Sequence, residues 1–500
     1  MQEKLDKFKQ LIAEITDLGR AEALLGWDQQ TYMPRGSAED RGNILETVAG
    51  LTHTMFTSKE MGDLLADLAP YADTLDPDSD DACLIKRIAH DYGKSTRVPT
   101  EWVSEFARVT TMGQMAWEEA KASDDFEVFR PHLEKLVQLR QAYANFFKPF
   151  DHIYDPLLDD FEPGMKTSEV QAIFNALRPQ QVELLKEIAA KPVIDDSFLH
   201  IPYDEKGQWD FGIDVITRFG YDFNRGRQDK AVHPFTTSFG IDDVRITTRF
   251  DPDRAASALF STMHEAGHAM YEQGVSKTLR RTPLANGASM AVHESQSRMW
   301  ENLVGRSRAF WQFFYPRLVK QFPGQLANVS QEQFYRGINK VEPSLIRVEA
   351  DEATYNLHIM LRLELEIALL EGSLQVGDLP QVWNSKMEEY LGVVPPTNRE
   401  GVLQDVHWSG GMMGYFPTYA LGNLVSAQLW DSMLGDIPNL EAQIGEGKFD
   451  ELLGWMRTNI HQHGAKFEPQ VLVKRVTGTT IQPEPYMKYL RGKYSEIYNL

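Results

Sequence analysis

One cysteine, Cys83, stands in 500 residues, which excludes an intramolecular disulfide and any cysteine-built metal cluster. No apolar run approaches the roughly 20 residues that span a bilayer. No Pro/Ser-rich linker, low-complexity tract or fixed-period repeat divides the chain. Length alone would allow about three domains at ~150 residues each, yet nothing in the sequence marks their boundaries. Basic residues are in deficit. Against 72 Asp and Glu there are 51 Lys and Arg, a formal net charge of −21. A field of that sign repels phosphate backbones and anionic lipid, so neither nucleic acid nor a membrane is an expected partner. The opening segment, MQEKLDKFKQLIAEITDLGR, lacks the uninterrupted apolar core and small-residue cleavage site of a secretory leader. Together with the cysteine count this gives a cytoplasmic expectation.

What is present is ordinary globular composition, 42% hydrophobic and 25% charged, which excludes disorder, collagen and coiled coil. Helical periodicity dominates. Leu5, Phe8, Leu11, Ile12, Ile15 and Leu18 recur at three- and four-residue steps and mark one apolar helix face. The same spacing fills 166–190, with Val170, Ile173, Phe174, Leu177, Leu184, Leu185 and Ile188. It returns in 350–372, where Leu357, Met360, Leu361, Leu363, Leu365 and Leu369 sit among Arg362, Glu364 and Glu366. Asp73 to Asp81 reads as a solvated acidic loop. The expected fold class is mainly α, one helical body over residues 1–500.

One region departs from this. FTTSFG (235–240), the turn Ile241-Asp242-Asp243 and VRITTRF (244–250) alternate and are rich in Thr, Val, Ile and Phe, the pattern of an antiparallel hairpin. Asp251-Pro252 then reads as a helix start, Asp as N-cap and Pro at the first position. That helix is expected to run to Glu272 or Gln273, with Gly274 just beyond its end.

Inside it lies His264-Glu265-Ala266-Gly267-His268. Spacing i, i+4 puts both imidazoles on one face, one turn apart, where they can share a tetrahedral metal. Glu265 is placed to act as general base. At this histidine content the bare pattern arises by accident in roughly two or three chains per hundred, so the surroundings matter. Leu259, Phe260, Met263, Gly267 and Met270 give the helix an apolar flank, and an unpaired Glu beside two His would be costly in a core. A metal resolves that cost and requires a third ligand with one position left open. A third His six residues on is absent, because Tyr271 and Gly274 occupy those places. A Glu from a second helix is the alternative. Glu294, in the helical-looking VHESQSRMWEN (292–302), is the first candidate and Glu301 its competitor.

His264 to His268 followed by His293-Glu294-Ser295-Gln296 at this distance resembles the carboxypeptidase Taq family of metallocarboxypeptidases. Further family signatures stand in order. They are His233-Pro234-Phe235, the D-x-R-x-T run Asp243-Val244-Arg245-Ile246-Thr247, and Ile346-Arg347-Val348-Glu349-Ala350-Asp351. Gly401-Val402-Leu403-Gln404-Asp405-Val406-His407-Trp408 follows them, and Trp27-Asp28-Gln29-Gln30-Thr31-Tyr32-Met33-Pro34 precedes them near the amino terminus. The resemblance implies a helical body with a long groove, a small β-sheet beside a metal at its floor, and a homodimer. It implies a broad-specificity carboxypeptidase acting on peptides with a free C-terminus, with Zn²⁺ as cofactor and Co²⁺ as a substitute.

The implied roles follow the chemistry of peptide hydrolysis. His264, His268 and Glu294 would hold the metal. Glu265 would move the water proton to the leaving amine, and the oxyanion needs a further donor. Helical zinc peptidases of similar kind use a Tyr/His pair downstream of the ligands, which points to Tyr415 and His407, with Tyr419 in reserve. A guanidinium reads a free carboxylate bidentately, and Arg347 and Arg245 are the motif-borne choices, Arg347 first. Gln404 belongs with them as a substrate contact. Asp243, Arg245 and Thr247 sit on the hairpin, where a strand edge can pair with an extended substrate or brace the site. His233 sits behind the site or touches substrate. Two other readings stand beside this one. An endo-acting oligopeptidase would use the same centre, and a helical scaffold with a structural metal would have no use for Glu265.

Overall fold

The computed structural model of the chain describes residues 1–251 and 254–500. Helices follow one another almost throughout, interrupted by one small sheet between residues 228 and 248. The amino-terminal helix Gln2–Thr31 buries Leu5, Phe8 and Ile12. With Met61, Leu68, Ile85 and Ile88 they form a smaller core that reaches Val275, Leu279 and Leu284. A much larger core takes in most of the chain beyond residue 116. The 166–190 pattern is the helix Thr167–Ala189, with Val170, Phe174, Leu177, Leu184, Leu185 and Ile188 buried. Among the described residues no helix is long and apolar enough to cross a membrane.

The helix Tyr355–Glu371 is a buried rod rather than an amphipathic surface helix. Its apolar residues other than Ala368 are buried, and so are Arg362 and Glu366, whereas Glu364 is half-buried. The acidic stretch is a loop over 73–79, as expected, and only its last two residues are helical. Ser79 caps a helix that begins at Asp80, where two aspartates complement the dipole. Asp78, Asp80 and Asp81 pair with Arg475, Lys466 and Lys9.

The sheet is mixed, not purely antiparallel. Strand β1 (Gln228–Lys230) runs parallel to β3 (Asp243–Thr248), and β2 (Thr236–Gly240) pairs antiparallel on its other side, giving the order β1-β3-β2. The two hairpin strands fall where their alternation put them, joined through Ile241 and Asp242. β1 was not anticipated, because three residues are too few to show a period.

The helix that follows is Ala255–Gly274. Its expected start at Asp251-Pro252 lies in part outside the described residues. At the other end Gly274 is the last helical residue and Val275 the extended cap, so Gly274 serves to admit the His461 ring beside it rather than to reverse the chain. This helix packs on β3 and on the helix Met290–Arg298, which in turn lies along the helix Pro417–Asp436.

The turn 155–164 secures the start of that middle helix. Ser289 caps it, and the buried Glu162 carboxylate accepts from Ser289 Oγ at 2.8 Å and from the Ala291 amide at 3.1 Å. The turn is itself held by the helix Asp80–Arg97, through Lys94 on Asp159 and Asp160 and through His90, which lies between Asp91 and Asp159. Hydrogen bonds to Asp159 and Asp91 raise the His90 pKa to about 9. A raised histidine pKa contributes stability that is complete below the unfolded value near 6.5 and is lost as pH rises through about 9. The His90 side chain is 43% exposed, so screening holds the contribution to about 1 kcal/mol. His90→Gln should therefore lower the urea midpoint at pH 6 and leave it unchanged at pH 9.5.

Candidate metal centre

His264 and His268 project from the helix Ala255–Gly274 toward Glu294 on the helix Met290–Arg298. Glu294 Oε2 lies 3.5 Å from the Nε2 atom of each histidine, and one ligand atom from each of the three residues falls within 4.8 Å of the others. Ligands at ~2.1 Å from a tetrahedral ion stand ~3.4 Å apart, so the donor set fits a divalent metal with three protein ligands. Glu301, the competing carboxylate, is placed behind the histidines instead, where its Oε2 is 2.9 Å from His264 Nδ1.

The nitrogens on the far side of both rings are engaged, which fixes the tautomers. His264 Nδ1–H donates to Glu301, leaving the Nε2 lone pair toward the site. On the second ring, His268 Nδ1 is 2.7 Å from His293 Nδ1, and His293 Nε2 is 2.8 Å from Glu272 Oε1. The carboxylate can only accept, so His293 Nε2 carries the proton, His293 Nδ1 accepts from His268, and His268 Nε2 is again a lone pair. Burial pushes the His268 pKa down to about 3. Arg298 lies between the two acids, with Nε donating to Glu294 Oε1 at 2.7 Å and Nη1 to Glu301 Oε2 at 3.0 Å. Burial acts against the Glu294 charge, but Arg298 and His264 outweigh it and hold the carboxyl well below the usual range. Glu301 reaches its place because the helix widens into a π turn over Met299–Val304, a form concentrated at functional sites.

Close approach makes the triad. A Cβ on Gly267 would meet the Gln296 carbonyl oxygen and Ser297 Cα at 2.7 Å, and one on Gly422 would meet Glu294 Cβ and Cγ at 2.6 Å. The helix that carries Glu294 is thus pressed between its two neighbours at glycines. Glu265 is buried beside the triad and accepts from Thr236 Oγ at 2.6 Å, and burial raises its pKa.

A second group of side chains comes from residues 347–419. The His407 ring centroid lies 5.4 Å from that of Tyr415 and 6.0 Å from that of Tyr419, and His407 Nε2 is 3.2 Å from the Tyr419 hydroxyl. Arg347 is buried against Tyr419. Its Nε and Nη2 donate to Asp405 Oδ1 at 3.0 and 2.8 Å, and its Nη1 to the Tyr355 hydroxyl at 2.8 Å. The Tyr355 ring lies under Arg298, 4.5 Å away, so the two groups of the site adjoin. Gln404 engages both ends of its amide within the chain. Its Oε1 accepts from the Arg347 amide, and its Nε2 donates to the carbonyls of Leu345 and Glu400.

On the sheet, Arg245 and Asp243 form a two-point pair at 2.9 Å, and the guanidinium stacks on Trp27 and Phe239. Thr247 Oγ accepts from the Phe235 amide. His233 is exposed in the loop between β1 and β2. Sequence reasoning passed over Thr236, Arg298 and Tyr355. The signal for Arg298 was available, since it lies one turn beyond Glu294 and three residues before Glu301.

A family model described as carboxypeptidase Taq (M32) metallopeptidase matches residues 7–494. The chain belongs to that family. It is 41% identical to thermostable carboxypeptidase 1 of Thermus thermophilus, over 99% of this chain and 98% of the other. It is 38% identical to carboxypeptidase 1 of Bacillus subtilis with the same coverage. Among solved structures, the M32 carboxypeptidase from Deinococcus radiodurans superposes with a TM-score of 0.96 at 43% identity, each chain covered in full. Membership in a metallopeptidase family agrees with the donor set and implies a divalent ion in the chain's working state.

The two glycines make this centre sensitive to one methyl group. Gly422→Ala should push Glu294 off its place and weaken metal binding about tenfold or more while far-UV circular dichroism stays unchanged; competition with a chelator measures the first.

Proposed function

We propose that this chain is a metal-dependent carboxypeptidase of broad specificity, one catalytic unit over residues 1–500, that releases C-terminal amino acids from peptides. The observation that carries the proposal is the triad His264, His268 and Glu294 with Glu265 beside it, in a chain of the carboxypeptidase Taq family. When bound there, Zn²⁺, or Co²⁺ in its place, supplies Lewis acidity toward a water and a scissile carbonyl.

The chain's own residues do the rest. Glu265 takes the proton of the attacking water and returns it to the leaving amine, its raised pKa suiting it to both transfers. Tyr415 donates its hydroxyl hydrogen to the developing oxyanion. Burial pushes its pKa up to about 12, so the hydrogen is in place at neutral pH. His407, which burial brings down to about 4, is neutral there and is the second donor. Arg347 reads the substrate's terminal carboxylate. Three of its five N–H groups are taken by Asp405 and Tyr355, and two remain for a ligand. Asp405, held far below its ordinary pKa chiefly by Arg347 and Arg362 against the effect of burial, keeps the fork fixed. Arg245, His233, Asp243 and Gln404 complete the substrate side, Arg245 and Asp243 bracing the hairpin and Gln404 setting the Arg347 backbone. The reading carries with it the family's homodimer and a cytoplasmic location.

Treatment with a chelator should abolish peptide hydrolysis, and Zn²⁺ or Co²⁺ should restore it. Glu265→Gln should bind metal as the native chain does and lose about 10²- to 10⁴-fold in turnover; a variant that turns over near the native rate ends the general-base role.

The exopeptidase reading is tested with a pair of peptides that differ only at the end. A site built for a carboxylate rejects substrates that leave a buried guanidinium unpaired, so a C-terminally amidated peptide should be cut far more slowly than its free acid. Arg347→Ala should erase most of that preference, at a loss of about 2–4 kcal/mol on the free acid, and Arg347→Lys should recover only part. Equal cutting of both peptides by the native enzyme would favour an endo-acting oligopeptidase using the same centre.

A further inference from the structure

His358, Arg362 and Glu366 follow at one-turn intervals along one face of the buried helix Tyr355–Glu371. Both charged members act on the same stretch of chain. Arg362 Nε donates to Asp405 Oδ2 at 2.8 Å. Glu366 Oε1 accepts from Trp408 Nε1 at 2.8 Å, and its Oε2 accepts from the Gly414 amide at 3.1 Å and from the Tyr154 hydroxyl at 2.6 Å. Trp408 directly follows His407, and Gly414 directly precedes Tyr415. One carboxylate therefore grips both ends of the 407–415 loop.

Glu366 is an expensive way to do this if packing were the only aim. It has no exposure to solvent, all three of its hydrogen-bond donors are neutral, and burial raises its pKa to about 7. An apolar residue of the same volume would fill the place at lower cost. The loop itself is short of intrinsic stiffness. It opens as a single 3₁₀ turn, His407–Gly410, and contains Gly410, Gly411 and Gly414. Oxyanion donors are effective only when held in place before the charge develops.

We propose that Glu366 is a positioning residue for the reaction, fixing the His407 and Tyr415 donors relative to each other through Trp408 and the Gly414 amide. The inference rests on the role given to Tyr415 above. An amide in place of the carboxylate cannot satisfy the same donors, because one of its ends is itself an N–H₂ group.

The test is steady-state kinetics on a free-acid peptide for the metal-loaded native chain and for Glu366→Gln, Trp408→Phe and Tyr415→Phe, with metal affinity measured alongside by chelator competition. Glu366→Gln should lower kcat about 10²-fold, leave KM within about twofold and leave metal affinity unchanged. Trp408→Phe, which removes one of the three donors, should lower kcat less. Glu366→Gln with native kcat, beside a Tyr415→Phe that loses turnover, overturns the positioning role alone. Native kcat in Tyr415→Phe overturns the reading on which it rests, and the inference with it. A Glu366→Gln that loses metal affinity, or KM and kcat together, shows general disruption and also overturns the proposal. Should Glu366→Gln fail to fold, Trp408→Phe decides: reduced kcat at unchanged KM supports the role, and native kcat ends it.

Discussion

The centre depends on how closely three helices can approach. The segment Met290–Arg298 lies between Ala255–Gly274 on one side and Pro417–Asp436 on the other, and at both contacts the neighbour offers a glycine. Interiors are packed to crystal density, so a carboxylate can stand within 3.5 Å of two imidazoles only if the backbones behind them come equally close. Capping by Ser289 and Glu162 fixes the middle helix along its axis, as the glycines fix it across. The same helix carries His293, the residue that orients His268 across from it. One element therefore carries one member of the triad and the support of another.

Around the triad, charge is organised by alternation. From Glu294 the path runs to Arg298, across the Tyr355 ring to Arg347, then to Asp405 and Arg362. Each buried charge faces one of opposite sign or an aromatic surface. Removing one partner from such a set leaves the next one unpaired, which costs far more than an exposed pair is worth. Rigidity here comes from that penalty. It holds the Arg347 guanidinium, the Tyr355 phenol and the Glu294 carboxylate at fixed separations.

Much of this was legible in the sequence, for reasons that differ from residue to residue. The one-turn spacing of His264 and His268 dictates their shared face, because helix geometry alone decides it. The hairpin was legible because Thr, Val, Ile and Phe alternate over enough residues to show a period of two. β1 is too short for that, and its parallel pairing comes from a part of the chain that no local pattern reveals. Arg362 and Glu366 looked like the polar side of a surface helix. Their burial follows from partners more than forty residues away, Asp405 and Trp408, which periodicity cannot see. Glu294 and Glu301 both lay in the right segment, and only the geometry separates the one facing the imidazole Nε2 atoms from the one behind His264.

The π turn at Met299–Val304 bears on how such a chain can change over time. A π turn is in effect a helix with one residue too many, kept although ordinary α hydrogen bonding would be more favourable. Loss of a single residue from it would restore ordinary α hydrogen bonding, re-space the residues of the wide turn and leave the segments beyond it nearly in place. Glu301, which lies within the turn, would leave its place beside His264 Nδ1. Such a deletion would improve the local helix while removing the carboxylate behind His264, so selection on stability and selection on the geometry of the triad pull in opposite directions at these six positions.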